Sequence, residues 1–181
     1  MFARDSVTVT ASTNKPGVES EWAGLRDAQA AALELPYTGM AVTLDLGEEK
    51  DGHPRNKWGV GQRLAWSALS QAYEFSKIPA AGPRFEALIL EGDRVRIFFD
   101  LFGSSLAVRG ESLDGFVVAG SDGVLHWANA QLEGDTVVLS ASQVSSSQFV
   151  RFAWADNPAC TLYNTFGQPA APFQINISPS V

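Results

Sequence analysis

Cysteine is nearly absent from this sequence. Cys160 stands alone among 181 residues, which excludes an internal disulfide and any metal site built on several thiolates. Histidine is almost as scarce: His53 and His126 lie far apart, so a zinc centre would have to recruit distant carboxylates. No apolar run approaches the roughly 20 residues needed to cross a bilayer. The start, Met1-Phe2-Ala3-Arg4-Asp5-Ser6, lacks the basic-then-apolar layout of a signal peptide. Positive charge is also short, with 13 Lys and Arg against 20 Asp and Glu, a net charge of -7. Such a chain, with no basic stripe, is repelled by phosphate backbones and anionic lipid, so neither nucleic acid nor a membrane is expected as a partner. What is present is enough apolar material to bury a core, 45% hydrophobic against 18% charged residues. The length suits one domain, or one compact domain plus part of another.

The hydrophobic pattern divides the chain in two. Residues 1–78 read as α/β and residues 79–181 as β. In the first part, Thr8 to Gly17 is rich in turn-forming residues and reads as loop. Ser20 is a helix cap, and Trp22, Leu25, Gln29, Ala32 and Leu33 follow at helical spacing until Pro36 and Gly39 end the helix. Met40-Ala41-Val42-Thr43-Leu44-Asp45-Leu46 is a short apolar run suited to a buried strand of a parallel sheet. A charged loop, Gly47 to Pro54, leads into a second helix from about Asn56 to Glu74, with Val60, Leu64, Leu69 and Tyr73 as its apolar residues. One strand between two helices cannot make a sheet, so this fragment asks for strands from elsewhere.

Ile78 to Pro83 has the composition of a linker. Beyond it the period becomes two. Arg84 to Leu90 and Arg94 to Leu101 flank Glu91-Gly92-Asp93, and Val95, Ile97 and Phe99 share one face. Gly115 to Ala119 and Val124 to Ala128 flank Ser121-Asp122-Gly123, where Asp-Gly suits a tight hairpin turn. Leu132 and Val137 to Leu139 flank Glu133-Gly134-Asp135, and Phe149 to Trp154 supplies one more strand. Short strands at this spacing predict an antiparallel β-sandwich.

His53 is the residue with most to offer chemically. It sits in a loop after the expected strand and before a helix, with Asp51 two positions earlier, and open α/β sheets place active sites at the carboxyl ends of strands. An imidazole with a near-neutral pKa is the usual base for a serine nucleophile, and a carboxylate on its second nitrogen fixes the tautomer; Asp51 or a neighbour could serve. A surface-loop histidine without a task is the competing reading. His126 alternates with apolar neighbours and reads as structural. Trp127, Trp154, Tyr163 and Phe166 are either a sugar-stacking surface or packing residues. Cys160, with nothing basic beside it, reads as a small buried residue.

Several blocks resemble sialate O-acetylesterase-type proteins of the SGNH/GDSL hydrolases. They are Ser20-Glu21-Trp22 with Leu25 to Gln29, Leu35 to Val42, Gly52-His53-Pro54 with Asn56-Lys57, and Gly61 to Ala65. Val150 to Pro158, Leu162-Tyr163-Asn164 and Gly167 to Phe173 resemble the C-terminal end of the same family. The resemblance runs from about residue 18 to 174. It implies removal of acetyl groups from sialic acid or plant polysaccharide sugars, by Ser, His and usually Asp, with no metal or cofactor. It implies His53 as the catalytic histidine. It leaves Asp51 open, because the wider pattern sets aspartate three positions before histidine, where Lys50 stands. The loop absorbs the shift, the enzyme uses a Ser-His pair, or another acid serves.

The family's nucleophile turn has no match here. Ala119-Gly120-Ser121-Asp122-Gly123 fails the elbow pattern at its first position and lies between strands, so it reads as a hairpin turn. The expectation is therefore the last helix-strand-helix part of an SGNH-type α/β sheet (1–78) followed by an antiparallel β-sandwich (79–181). His53 is expected to act with a serine carried by an upstream segment or chain on an acetylated carbohydrate. The resemblance also implies a periplasmic or secreted protein. Two other readings remain: a non-catalytic carbohydrate-binding or scaffolding β-sandwich module, and an esterase with an unrecognised serine inside the chain.

Overall fold

The structure is a computed structural model and describes residues 15–49, 51, 53, 55–75 and 77–177. Much of the expected Thr8–Gly17 loop therefore lies outside the described residues, as do Lys50, Gly52 and Pro54.

Each tight reversal anticipated from sequence closes a hairpin. β1 (Arg84–Glu91) pairs antiparallel with β2 (Arg94–Asp100), β4 (Phe116–Ala119) with β5 (Leu125–Trp127), and β6 (Asn129–Glu133) with β7 (Thr136–Ser140). Gly92, Gly123 and Gly134 all take positive φ at the turns, which is why glycine stands in each. Three short strands escaped the sequence pattern: β3 (Leu106–Val108), β9 (Leu162–Asn164) and β10 (Phe173–Asn176). β8 is Phe149–Phe152.

Two four-stranded sheets result, ordered β1-β2-β7-β6 and β10-β8-β4-β5, with β3 and β9 paired beside them. Val95, Ile97 and Phe99 point inward from β2, as alternation requires, and meet Val137 and Leu139. Phe116, Phe152 and Phe173 fill the second sheet's inner face, and Phe99 meets Phe173 across the gap at 6.3 Å between ring centres. Side chains this completely withdrawn from water contribute about 1.5–3 kcal/mol each by apolar transfer alone.

The helical part forms differently. α1 (Glu21–Ala31) starts at Ser20, whose hydroxyl accepts from the Ala23 amide at 3.0 Å, and ends in a tighter 3-10 turn at Ala32–Glu34. α2 (Lys57–Ala72) starts at Asn56, whose side-chain oxygen accepts from the Gly59 amide at 2.9 Å. The run Met40–Leu46 between them is not a strand: it is irregular backbone entering a turn at Leu44–Leu46. The physical reason is the one that made the fragment incomplete on paper. A strand exists only by pairing, and no neighbour among the described residues lies alongside this run.

The stretch before β1 has linker composition but is packed. Pro83 is fully buried, and Ala171 donates to the Pro83 carbonyl at 2.9 Å. A Cβ on Gly82 would stand 2.0 Å from the Pro169 carbonyl oxygen, so only glycine fits there. Asn164 Nδ2 donates to the Ala81 carbonyl at 3.3 Å, tying the same stretch to β9.

Candidate active-site loop and neighbouring cavities

The His53 loop is anchored at its root by a charged pair on otherwise apolar segments. Arg63, on α2, donates from Nη1 to Asp45 Oδ1 at 2.6 Å and from Nη2 to Asp45 Oδ2 at 2.8 Å. Its Nη1 also donates to the Val42 carbonyl at 2.7 Å. The two side chains are 9% and 12% exposed, so the fork-to-carboxylate contact is desolvated and geometrically specific. It fixes the end of the Met40–Leu46 run against α2, and Leu46 donates back to the Thr43 carbonyl to close the turn.

Beyond that root, Asp51 donates its amide to the Glu48 carbonyl at 3.1 Å, and its Oδ1 accepts from the backbone amide of His53 at 2.9 Å. This is the local turn that a short acidic side chain favours two residues before an amide. The His53 side chain is exposed, and the Asp51 oxygen that is engaged serves the backbone of the loop. Arg55 and Glu48 form a loose surface pair at 3.4 Å.

Against this loop lies a cavity of about 250 Å³ lined by Trp22, Arg26, Gln29, Glu48, Asp51 and Asp156, among others. Its far wall is held by α1. Ser20 donates its hydroxyl to Asp156, and Arg26 donates to the carbonyls of Ala155 and Asp156. Burial pulls the Arg26 guanidinium pKa down, and the Asp156 carboxylate opposes that shift. The cavity is thus lined by Glu48, Glu49, Asp51 and Asp156 with one arginine, and His53 is not part of its lining. Among the described residues no three His, Cys, Asp or Glu side chains gather in a metal-binding group.

The four aromatics singled out in the sequence do not form one surface. Trp127 and Trp154 line a separate cavity of about 340 Å³, whereas Tyr163 is buried beneath the Arg109 guanidinium, 4.1 Å from its ring centre. Phe166 is half exposed and lines no part of the Trp127 cavity. His126 sits on β5 opposite Val118, half buried. Cys160 is half buried near Asp45 and Tyr163; burial first, and the Asp45 carboxylate second, push its thiol up to about 11. Burial, with Cys160 and Asp45 adding to it, pushes the Tyr163 phenol up to about 12.

The Asp45–Arg63 pair is the feature that sequence reasoning missed. Its signal was present: one acid inside an apolar run and one arginine between apolar helix positions, on segments otherwise read as core.

No protein-family profile matches the chain, and no curated protein matches it. A solved structure does. A carbohydrate acetylesterase from Xanthomonas citri superposes with a TM-score of 0.82 at 38% identity, over 88% of this chain and 37% of that protein. The chain thus spans little more than a third of the length of the esterase it matches. Over most of its own length, the chain has a carbohydrate-esterase-like fold.

Proposed function

We propose that this chain serves a carbohydrate O-acetylesterase of the SGNH type, supplying the catalytic histidine to a nucleophilic serine carried outside these 181 residues. The observation that carries the reading is the likeness to a carbohydrate acetylesterase at 38% identity. Supporting it, the loop that resembles the family's histidine block presents His53 to solvent and lines a cavity through Glu48, Glu49 and Asp51, on a root fixed by the buried Asp45–Arg63 pair.

In this reading the serine hydroxyl attacks the acetyl carbonyl and His53 accepts its proton. Backbone donors elsewhere hold the tetrahedral oxyanion, and His53 returns the proton to the departing sugar oxygen. Water then repeats the sequence on the acyl-serine and releases acetate. Asp51 is proposed as the triad acid: one of its oxygens is committed to the His53 amide, and the second would accept from the imidazole Nδ1–H. An acetylated sialic acid or plant polysaccharide sugar is the proposed substrate, and the periplasm or the cell exterior the proposed location, both by resemblance.

Labelling with a fluorophosphonate, followed by peptide mapping, tests the assignment. The 181-residue chain alone should remain unlabelled, and the complete esterase should take the label on a serine outside it. A labelled serine within the chain would overturn the reading in favour of a self-contained esterase.

A further inference from the structure

Between Lys57 and Glu74 the only charged residue is Arg63, and it turns inward to Asp45. The outer face of α2 is therefore free of charge along the whole helix, about 24 Å at 1.5 Å per residue. Gly61, Leu64, Ala65, Ala68 and Ala72 recur on it at three- and four-residue spacing, and all of them are exposed. Leu64 is 49% exposed, and Leu69 at the edge of the face 38%. A helix face in water ordinarily carries charged groups; one made of small and apolar residues belongs against another surface. Gly61 points the same way. It costs the helix about 1 kcal/mol relative to alanine, and no other part of the described chain comes within 4 Å of the Cβ it would carry. Gly59 differs, because a Cβ there would stand 3.1 Å from Leu46.

The run that leads to Asp45 is open in a second way. Its side chains are half-buried, with Leu44 against the sandwich core. Yet the amides of Met40, Ala41, Val42, Thr43 and Leu44 donate to no backbone acceptor among the described residues. Consecutive unpaired amides on an apolar run are what a bare strand edge offers, and a strand laid beside them satisfies them.

The two features adjoin. Arg63 donates to the Val42 carbonyl, and Ser67 lies against Gly39, so this side of α2 faces the run. Leu64 and Ala68 stand on the flank next to it. A strand beside Met40–Leu44 would carry its sheet along that flank, each further strand extending it by about 4.8 Å. A helix laid on α2 would cover the flank and leave the amides open, so a sheet fits both. The likeness to the Xanthomonas esterase covers 37% of that protein, and nearly two-thirds of it lies outside the matched part.

We propose that a β-strand from a segment outside this chain pairs with Met40–Leu44, and that its sheet lies against Gly61, Leu64 and Ala68 of α2. Naming that segment as the serine-bearing part rests on the esterase reading; the docking surface does not.

Hydrogen–deuterium exchange of the 181-residue chain and of the complete esterase tests this. The Met40–Leu44 amides should exchange as an open loop does in the chain alone, and at least about a hundredfold more slowly in the complete esterase. Ala68→Glu, at an exposed position, should leave β2 and β7 of the chain alone protected. In the complete esterase it should speed exchange at Met40–Leu44 at least about tenfold. Slow exchange already in the monomeric chain would mean that this chain covers its own run. Slow exchange only in a dimer, by sedimentation velocity, would mean that a second copy does. Fast exchange in both proteins would mean that water serves these amides. Each of these outcomes overturns the proposal. Catalysis is no part of the readout: protection with an activity indifferent to His53→Ala would sink the histidine assignment alone, and the converse pattern the docking alone.

Discussion

The two parts of this chain bury opposite kinds of residue. In the sandwich, Ile97, Val137, Leu139, Val150 and Phe152 have no measurable exposure. In α2 the buried residues are Arg63 and Ser67, while Trp58 (81% exposed) and Leu64 face outward, as does Tyr73 just past its end. Leu35 and Tyr37, beyond α1, are exposed as well. A soluble helix normally does the reverse. The sandwich is a closed unit with its own core. The helical part is attached to it by polar links (Ser20 and Arg26 to the Ala155–Asp156 turn, Glu19 to Arg151) and by Leu44, which packs against the sandwich core, and holds together around an ion pair. Its apolar side belongs to a surface that the sandwich does not cover, in keeping with a fold shared with one part of a longer esterase.

Deletion of core volume should separate the two regions most sharply. Phe152→Ala is expected to lower stability by about 3–5 kcal/mol in urea unfolding of the chain. Leu64→Ala, on the exposed helical face, should change it by no more than about 0.5 kcal/mol. A comparable loss at both positions would mean that the helical face is buried in solution.

Breaking the ion pair comes next. Arg63→Met leaves Asp45 buried without its partner, a change worth about 3–5 kcal/mol in other buried pairs. Here it should show as faster amide exchange across Met40–Ala72, with β2 and β7 unaffected. Loss of protection in the sandwich as well would make the two regions one cooperative unit.

Cys160 reports on the contact between the regions through pH. With its folded thiol pKa at about 11 and its unfolded one near 8.5, the folded state holds the proton more tightly. The stabilisation that follows is complete below the unfolded pKa and is lost as pH rises through the folded one. Iodoacetamide should therefore react at about pH 8 on the order of two hundredfold faster with the unfolded chain than with the folded one. Asp45→Asn removes the second cause of the shift and also unpairs the buried Arg63, so it should speed the folded reaction both directly and by loosening the contact. Gly82→Ala drives a methyl into the Pro169 backbone carbonyl and should cost at least about 1–3 kcal/mol by thermal unfolding.

The same contrast decides what could be read from the sequence. Hairpins announce themselves, because Glu91-Gly92-Asp93, Asp122-Gly123 and Glu133-Gly134-Asp135 sit between alternating runs, and β1, β2 and β4 to β7 follow from them. β3 and β9, three residues each, are too short to show a period, and β10, four residues long and directly after Pro172, is scarcely longer. Met40–Leu46 has the composition of a buried strand, but composition cannot supply the neighbours that pairing needs. At the candidate site, the His53 loop and its acidic neighbours were legible because their residue types are rare or dense in charge. The Asp45–Arg63 contact was not, since only the folded chain brings α2 back over that run. Nor could the separation of Trp127 and Trp154 from Tyr163 be seen, because it depends on which way β5, β8 and β9 present their faces.

The central claim is that His53 acts on a serine outside this chain. Acetate release from an acetylated oligosaccharide by the complete esterase, with His53→Ala compared against the unchanged protein, tests it most directly. The account predicts a fall in kcat of at least about a thousandfold with KM little altered; a fall of only a few-fold would contradict it.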